Sequence, residues 1–107
     1  MIKQQDISEF NASANDVILD VRDQQSYVEG HIQYAKNFPI DHLNADTLTQ
    51  FDVQQPIYIL CGGGTKAPRA AEFLESLDAN REYVILTGGT RKAKSLNMTI
   101  VQGLDED

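Results

Sequence analysis

Cys61 is the residue best placed to do chemistry in this 107-residue chain, and it is the only cysteine. It follows the apolar run 57–60 and precedes three consecutive glycines and a helical pattern. A lone cysteine cannot form an internal disulfide, and in a reducing compartment it stays a thiol. The order of strand, glycine loop and helix predicts a thiol at the carboxyl end of a strand, beside a helix N-terminus.

The residues after Cys61 are suited to hold an anion. Glycines carry no Cβ, so the backbone can adopt positive φ and turn its N–H groups toward one point. The following helix directs the partial positive charge of its N-terminus at the same point, and Lys66 adds a full positive charge. These effects favour a thiolate or a bound sulfur oxyanion over a neutral thiol, which creates a nucleophile without a separate base. The alternative is that Cys61 is an inert core residue. An inert core position does not, however, require three glycines directly after it.

The elements around this loop predict an α/β domain with a mainly parallel sheet, because short apolar runs alternate with helical patterns. Residues 17–19, 57–60 and 83–86 are the clearest strands, residues 36–38 a weaker one, and residues 7–10, 24–29, 42–49 and 69–77 the helical segments. The last helix places Ala70, Phe73, Leu74 and Leu77 on one face, which we expect to pack on the sheet. Pro68 predicts that Ala67 is extended and lengthens the loop by one residue.

Composition and charge limit the function. The net charge of −7 argues against nucleic acid or an anionic membrane as a partner. No apolar run reaches bilayer length, and no signal sequence is visible at the N-terminus, so we expect a cytoplasmic location. We expect one domain over residues 1–104 and an acidic tail over 105–107.

Several basic residues follow the two glycine turns and are candidates for a rim around the site, namely Arg69, Arg91 and Lys92. The second turn, Gly88-Gly89, repeats the pattern of strand, glycines and helix start, with Thr90 as the expected N-cap. In an open parallel sheet this turn lies at the same edge as the cysteine loop. The rim would then present positive charge to an anionic partner, unless these residues belong only to a solvated helix.

Asp20, Arg22 and His31 have simpler expected roles. Asp20 and Arg22 lie on one side of the chain after a strand, where they can hold nearby backbone groups and support the site. His31 has no second histidine or cysteine at ligand spacing, so a polar contact is expected there rather than a metal. No metal or other cofactor is expected.

In four segments the sequence resembles the rhodanese-like domain family. Residues 17–22 (VILDVR) resemble the family's strand ending in Asp-x-Arg, and residues 27–40 (YVEGHIQYAKNFPI) resemble its Gly-His-Ile segment. Residues 57–67 resemble the strand and active-site loop, and residues 83–89 (YVILTGG) resemble the strand and Gly-Gly turn before the last helix. The four segments occur in the family's order and cover nearly the whole chain.

This resemblance implies a small parallel sheet flanked by helices on both faces, and a single-domain sulfurtransferase. Cys61 would carry sulfane sulfur as a persulfide, received from thiosulfate or a protein persulfide and passed to a thiol, cyanide or a protein acceptor. The substrate-binding cradle would consist of Gly62, Gly63, Gly64, Thr65, Lys66 and Ala67. Lys66 stands where the family commonly has an arginine, and a lysine offers a point charge rather than a planar fork.

Two other functions stay open. One is a rhodanese-like module that binds a partner with weak or no catalysis. The other is a phosphatase or arsenate reductase, in which a cysteine is followed by five residues and an arginine. Here the sixth residue after Cys61 is Ala67, so the arginine that would clamp a tetrahedral oxyanion is missing.

Overall fold

A five-stranded parallel sheet forms the centre of the computed structural model, which describes residues 1–63 and 65–104. Its strands are β1 (Ile2–Asp6), β2 (Val17–Asp20), β4 (Lys36–Asn37), β5 (Ile57–Leu60) and β6 (Tyr83–Thr87), in the order β1-β6-β5-β2-β4. A separate antiparallel pair joins β3 (His31–Ile32) to β7 (Ile100–Val101). Gly64 and the acidic tail 105–107 lie outside the described residues. Over the described ranges, no helix has the length and apolar character needed to cross a membrane.

Helices cover both faces of the sheet. They are α1 (Gln24–Glu29), α2 (Ala45–Thr49), α3 (Lys66–Leu77) and α4 (Gly89–Ser95), with short 3₁₀ turns at Ile7–Glu9 and Ile40–His42. Alternate strand residues point to opposite faces. Leu19, Ile59 and Ile85 therefore pack with α2 and α3, whereas Ile18, Leu60 and Leu86 pack with α1 and α4.

The predicted fold class is confirmed, as are the three strands predicted from apolar runs and the weaker one near residues 36–38. The prediction for α3 is partly wrong. Phe73 and Leu77 are 43% and 42% exposed, and the buried face consists of Ala67, Ala70, Ala71 and Leu74. The small side chains of these alanines let the helix pack close to the sheet. Ala67 is helical rather than extended, because α3 begins at Lys66 and places Pro68 in the first turn, where a proline needs no N–H partner.

Arg81, just before β6, binds the C-terminal end of α2. The sequence analysis did not predict this role. Its side chain is 4% exposed and donates to the carbonyls of Leu48, Phe51 and Asp52 at 2.8, 2.9 and 3.0 Å. These carbonyls belong to the last turn of α2 and the turn after it, and those of Leu48 and Asp52 also accept the backbone N–H groups of Phe51 and Gln55. The guanidinium of Arg81 therefore adds three hydrogen bonds at the C-terminal end of α2.

We predict that Arg81→Met lowers the free energy of unfolding by about 3 kcal/mol, because three hydrogen bonds from a buried guanidinium and its ion pair with Asp78 are lost. Chemical denaturation monitored by circular dichroism measures the loss. Arg69→Met is the matched control, since Arg69 is exposed on α3, and its effect should stay within about 0.5 kcal/mol. Equal losses in the two variants would contradict the proposed role of Arg81.

Candidate active site around Cys61

Cys61 lies directly after β5, at the carboxyl edge of the parallel sheet. The residue is 2% exposed, and its Sγ accepts the backbone N–H of Ala67 at 3.4 Å. Ala67 belongs to the first turn of α3, so the helix N-terminus faces the sulfur as the sequence predicts. A cleft of about 220 Å³ opens beside it, lined by Arg22, Asp23, Ser26, Cys61, Gly62, Gly63, Thr65 and Lys66.

The expected role of the glycines needs correction. Neither Gly62 nor Gly63 has a φ in the left-handed region, so positive φ is not the reason for their presence. A Cβ on Gly63 would lie 3.2 Å from Nη1 of Arg91, and one on Gly62 would lie 3.6 Å from Cδ of Arg22. Gly63 thus leaves space for the guanidinium of Arg91. The predicted contribution of Gly64 falls outside the described residues.

The start of α4 holds the cysteine loop in place. The backbone N–H groups of Thr90 and Arg91 donate to the carbonyls of Cys61 and Gly62 at 2.9 and 3.0 Å. This approach requires Gly89, whose φ is 62° and whose Cβ would lie 2.3 Å from the carbonyl oxygen of Cys61. Thr90 is not the N-cap, because α4 begins at Gly89, two residues earlier than that prediction requires, and Gly88 takes the cap position. The two glycine turns therefore meet at one edge, as predicted, and bind each other through their backbones.

Asp20 and Arg22 support the opposite wall of the cleft. Nη2 of Arg22 lies 2.8 Å from the buried carboxylate of Asp20 and donates to the carbonyl of Gly30, also at 2.8 Å. Asp20 in turn accepts the backbone N–H of Arg22 at 3.1 Å. This is the arrangement expected from the sequence, and it fixes the turn that leads into α1.

Asp23 is a cleft residue that sequence reasoning missed. Its carboxylate caps α1 by accepting the N–H of Ser26 at 2.8 Å. The hydrogen bonds from Ser26 lower the pKa of Asp23, and the charges of Lys66 and Arg22 lower it further. An aspartate just before a helical segment is a typical N-cap, so this role of Asp23 could have been predicted. Its position opposite the cysteine loop could not, because the two segments are distant in the sequence.

The three candidate rim residues lie in different places. Arg91 is exposed with its guanidinium against Gly63. Lys92 lies 2.8 Å from Asp6 at the end of β1, where its hydrogen bond lowers the pKa of Asp6 to about 2. Arg69 lines a separate cleft with Ile40, Asp41, Leu43 and Phe73. Of the three, the structure places Arg91 at the cysteine loop.

His31 is fully buried and makes the kind of polar contact that the sequence predicts. Its Nδ1 lies 2.8 Å from the carbonyl of Tyr27, and its ring stacks on that of Tyr27 with centroids 3.6 Å apart. Within the part of the chain that the structure describes, no group of three or more histidine, cysteine, aspartate or glutamate side chains could hold a metal ion.

We predict that Gly89→Ala destabilises the protein by about 3 kcal/mol, which corresponds to a fall of roughly 12–24 °C in melting temperature for a domain of this size. The added methyl group would overlap the carbonyl of Cys61 and force the two turns apart. Differential scanning calorimetry measures the change.

Gly103→Ala provides the control, since Gly103 also has a left-handed φ, of 97°, but a Cβ there would touch nothing within 4 Å. That variant should lose only the conformational preference of glycine, about 1 kcal/mol. If both variants melt at the same temperature, the contact between the two turns is not what requires Gly89.

Comparison with known proteins finds similarity to one family. A model of the rhodanese-like domain matches residues 4–96. Thiosulfate sulfurtransferase GlpE of Pseudomonas fluorescens (strain SBW25) is 36% identical over 74 residues, which cover 68% of this chain and 65% of that protein. The GlpE protein of Pseudomonas entomophila (strain L48) is 32% identical over 69 residues, covering 64% and 62%. The matched region spans less than two thirds of either relative.

Solved structures agree with this similarity. The rhodanese-like domain of the Alr3790 protein from Anabaena is 32% identical, with a TM-score of 0.69, over 80% of this chain and 86% of that one. A thiosulfate sulfurtransferase from Pseudomonas aeruginosa has a TM-score of 0.83 at 19% identity, over 95% of this chain and 20% of that one. At that identity the second match indicates a shared fold.

Proposed function

Because the chain belongs to the rhodanese-like domain family, we propose that it is a sulfurtransferase that carries sulfane sulfur as a persulfide on Cys61. The observation that carries the proposal is the position of the sulfur. It lies at the end of β5, within 3.4 Å of the Ala67 N–H at the start of α3, and it borders a cleft with a glycine rim. A helix N-terminus stabilises both a thiolate and the terminal S⁻ of a persulfide.

The proposed reaction has two displacement steps. The thiolate of Cys61 attacks the outer sulfur of thiosulfate, the sulfur–sulfur bond of the donor breaks, and sulfite leaves with the electron pair. An acceptor thiolate or cyanide then attacks the terminal sulfur of the persulfide, and Cys61 leaves as a thiolate. No oxidant or reductant is consumed, and the enzyme returns to its starting state.

The dimensions of the cleft fit this chemistry. A volume of about 220 Å³ accommodates one added sulfur atom and the end of a donor or acceptor. Cys61 is buried, so its thiolate is shielded from solvent. In the proposed persulfide, the transferred sulfur extends toward the exposed residues Gly63 and Thr65. Gly62, Gly63, Thr65, Lys66 and Ala67 are the described residues that we assign to substrate binding, and Gly64 stays a sequence-based prediction.

The proposal includes two classes of donor and three of acceptor. The relatives named thiosulfate sulfurtransferase support thiosulfate as a donor, and a protein persulfide is the other donor we propose. Acceptors are a small thiol, a protein thiol or cyanide. A thiol carrier of this kind works in a reducing compartment, which is consistent with a cytoplasmic location. A phosphatase function is disfavoured because Ala67, the sixth residue after the cysteine, donates only its backbone N–H.

We predict that incubation with thiosulfate adds one sulfur atom to the protein, and that thiocyanate forms when cyanide is added. Cys61→Ser should lose this activity by about a thousandfold or more, because the alkoxide is not available at neutral pH. Intact mass spectrometry detects the added sulfur, and a colorimetric assay measures thiocyanate. If the wild-type protein does no better than the serine variant, the chain is a binding module and the sulfurtransferase proposal fails.

We also predict that Lys66→Ala lowers kcat/KM with thiosulfate by about fivefold and affects a protein persulfide donor less. Thiosulfate is a small dianion that depends on a nearby cation, whereas a protein donor makes additional contacts. Steady-state kinetics with both donors tests this. Lys3→Ala is the control, since Lys3 pairs with Glu82 at the opposite edge of the sheet. Equal losses on both donors would contradict the role given to Lys66.

A further inference from the structure

Arg91 is hydrogen-bonded to the cysteine loop through its backbone, and its side chain lies against the loop. Its N–H donates to the carbonyl of Gly62 at 3.0 Å, and its guanidinium occupies the space that a side chain on Gly63 would need. The side chain is exposed. Among the residues that the structure describes, no acidic side chain lies within ion-pair distance of it. Arg91 therefore presents a full positive charge at the rim.

The other cations of the cleft lie near carboxylates. Arg22 pairs with Asp20 at 2.8 Å. Lys66 lines the cleft together with Asp23, whose pKa is lowered by the Ser26 hydrogen bonds and, to a smaller extent, by the charge of Lys66. Arg91 is an exposed cation that lies against the cysteine loop, outside the lining of this cleft.

The rim between the thiol and Arg91 has no side chains in its described part. Gly62 and Gly63 present no side chain at this edge of the cleft, so the backbone of a polypeptide can come close to the sulfur. Gly63 is two residues from Cys61, so the backbones of these two residues lie at most about 7 Å apart. A carboxylate one or two residues from a cysteine would therefore reach Arg91 while the cysteine reaches the persulfide.

We propose that the acceptor is a polypeptide thiol with a neighbouring carboxylate, and that Arg91 binds this carboxylate during sulfur transfer. The inference rests on the proposed persulfide at Cys61. The acceptor thiolate attacks the terminal sulfur, a new sulfur–sulfur bond forms on the acceptor, and the bond to Cys61 breaks to release its thiolate. The chain carries a net charge of −7, so the rest of the surface repels an acidic partner and directs it to this rim.

The test uses two short peptides that differ only at the residues flanking one cysteine, aspartate in the first and asparagine in the second. Protein loaded with thiosulfate and freed of donor is mixed with each peptide, and the loss of persulfide is followed by mass spectrometry. Rates are expressed per thiolate, because flanking carboxylates change the ionisation of the peptide thiol. We expect the aspartate peptide to react about fivefold faster at low salt, and the difference to fall toward one at about 1 M salt.

Variants of Arg91 decide the role of this side chain. Arg91→Gln should remove the preference, and Arg91→Glu should reverse it in favour of a peptide with flanking lysines. The backbone N–H that binds Gly62 is present in both variants. Arg69→Glu is the matched control on α3 and should retain the preference for aspartate.

The outcomes separate this inference from the proposed function. If no persulfide forms on Cys61, or cyanide does not discharge it, the sulfurtransferase proposal itself fails. If the persulfide forms and cyanide discharges it, but both peptides react at the same rate, only the inference about Arg91 is overturned. Retention of the aspartate preference by Arg91→Glu would also overturn it.

Discussion

The carbonyls of Cys61 and Gly62 accept the N–H groups of Thr90 and Arg91, and the geometry of the site depends on this pair of hydrogen bonds. A loop rich in glycine has many accessible conformations, so its own sequence does not fix where the sulfur points. The second glycine turn fixes it, because Gly89 lets the start of α4 approach the loop without a Cβ in between. The thiol, the rim and Arg91 are thereby held as one unit at the carboxyl edge of the sheet.

A second set of bonds fixes the opposite wall. The ion pair between Asp20 and Arg22 reaches the carbonyl of Gly30, and Asn37 donates to the carbonyls of Asp20 and Arg22. Since Asp20 is fully buried, its charge is tolerated only with this partner. One wall of the cleft is therefore held by the ion pair of Asp20 with Arg22. The other, the cysteine loop, is held by backbone hydrogen bonds from the start of α4. In the proposed reaction Lys66 and Arg91 recognise substrate charge, and among the described residues neither forms an ion pair.

Much of this arrangement could be predicted from the sequence. Apolar runs identified the central strands, and the glycines after Cys61 identified the loop. The strand β1 was missed because its sequence, IKQQD, is mostly polar and pairs only through its backbone with β6. Each strand of the small antiparallel pair has two residues, too few for a pattern to be visible. Phe73 and Leu77 share a helical face with Ala70 and were predicted to be buried with it, but they are partly exposed. Periodicity shows which residues share a face, but not how far the neighbouring elements extend over that face. The partners of Arg81 and the placement of Asp23 depend on contacts between distant segments, which spacing does not contain.

The glycine contact also has a consequence for how the protein is made. The cysteine loop emerges from the ribosome before β6 and α4, so at that stage the carbonyls of Cys61 and Gly62 have only water as a partner. The strand and helix on either side can form early, but the cradle is completed only when Gly89 reaches it. The thiol therefore acquires its finished surroundings only after β6 and α4, in the C-terminal third of the chain, have packed against the rest of the fold.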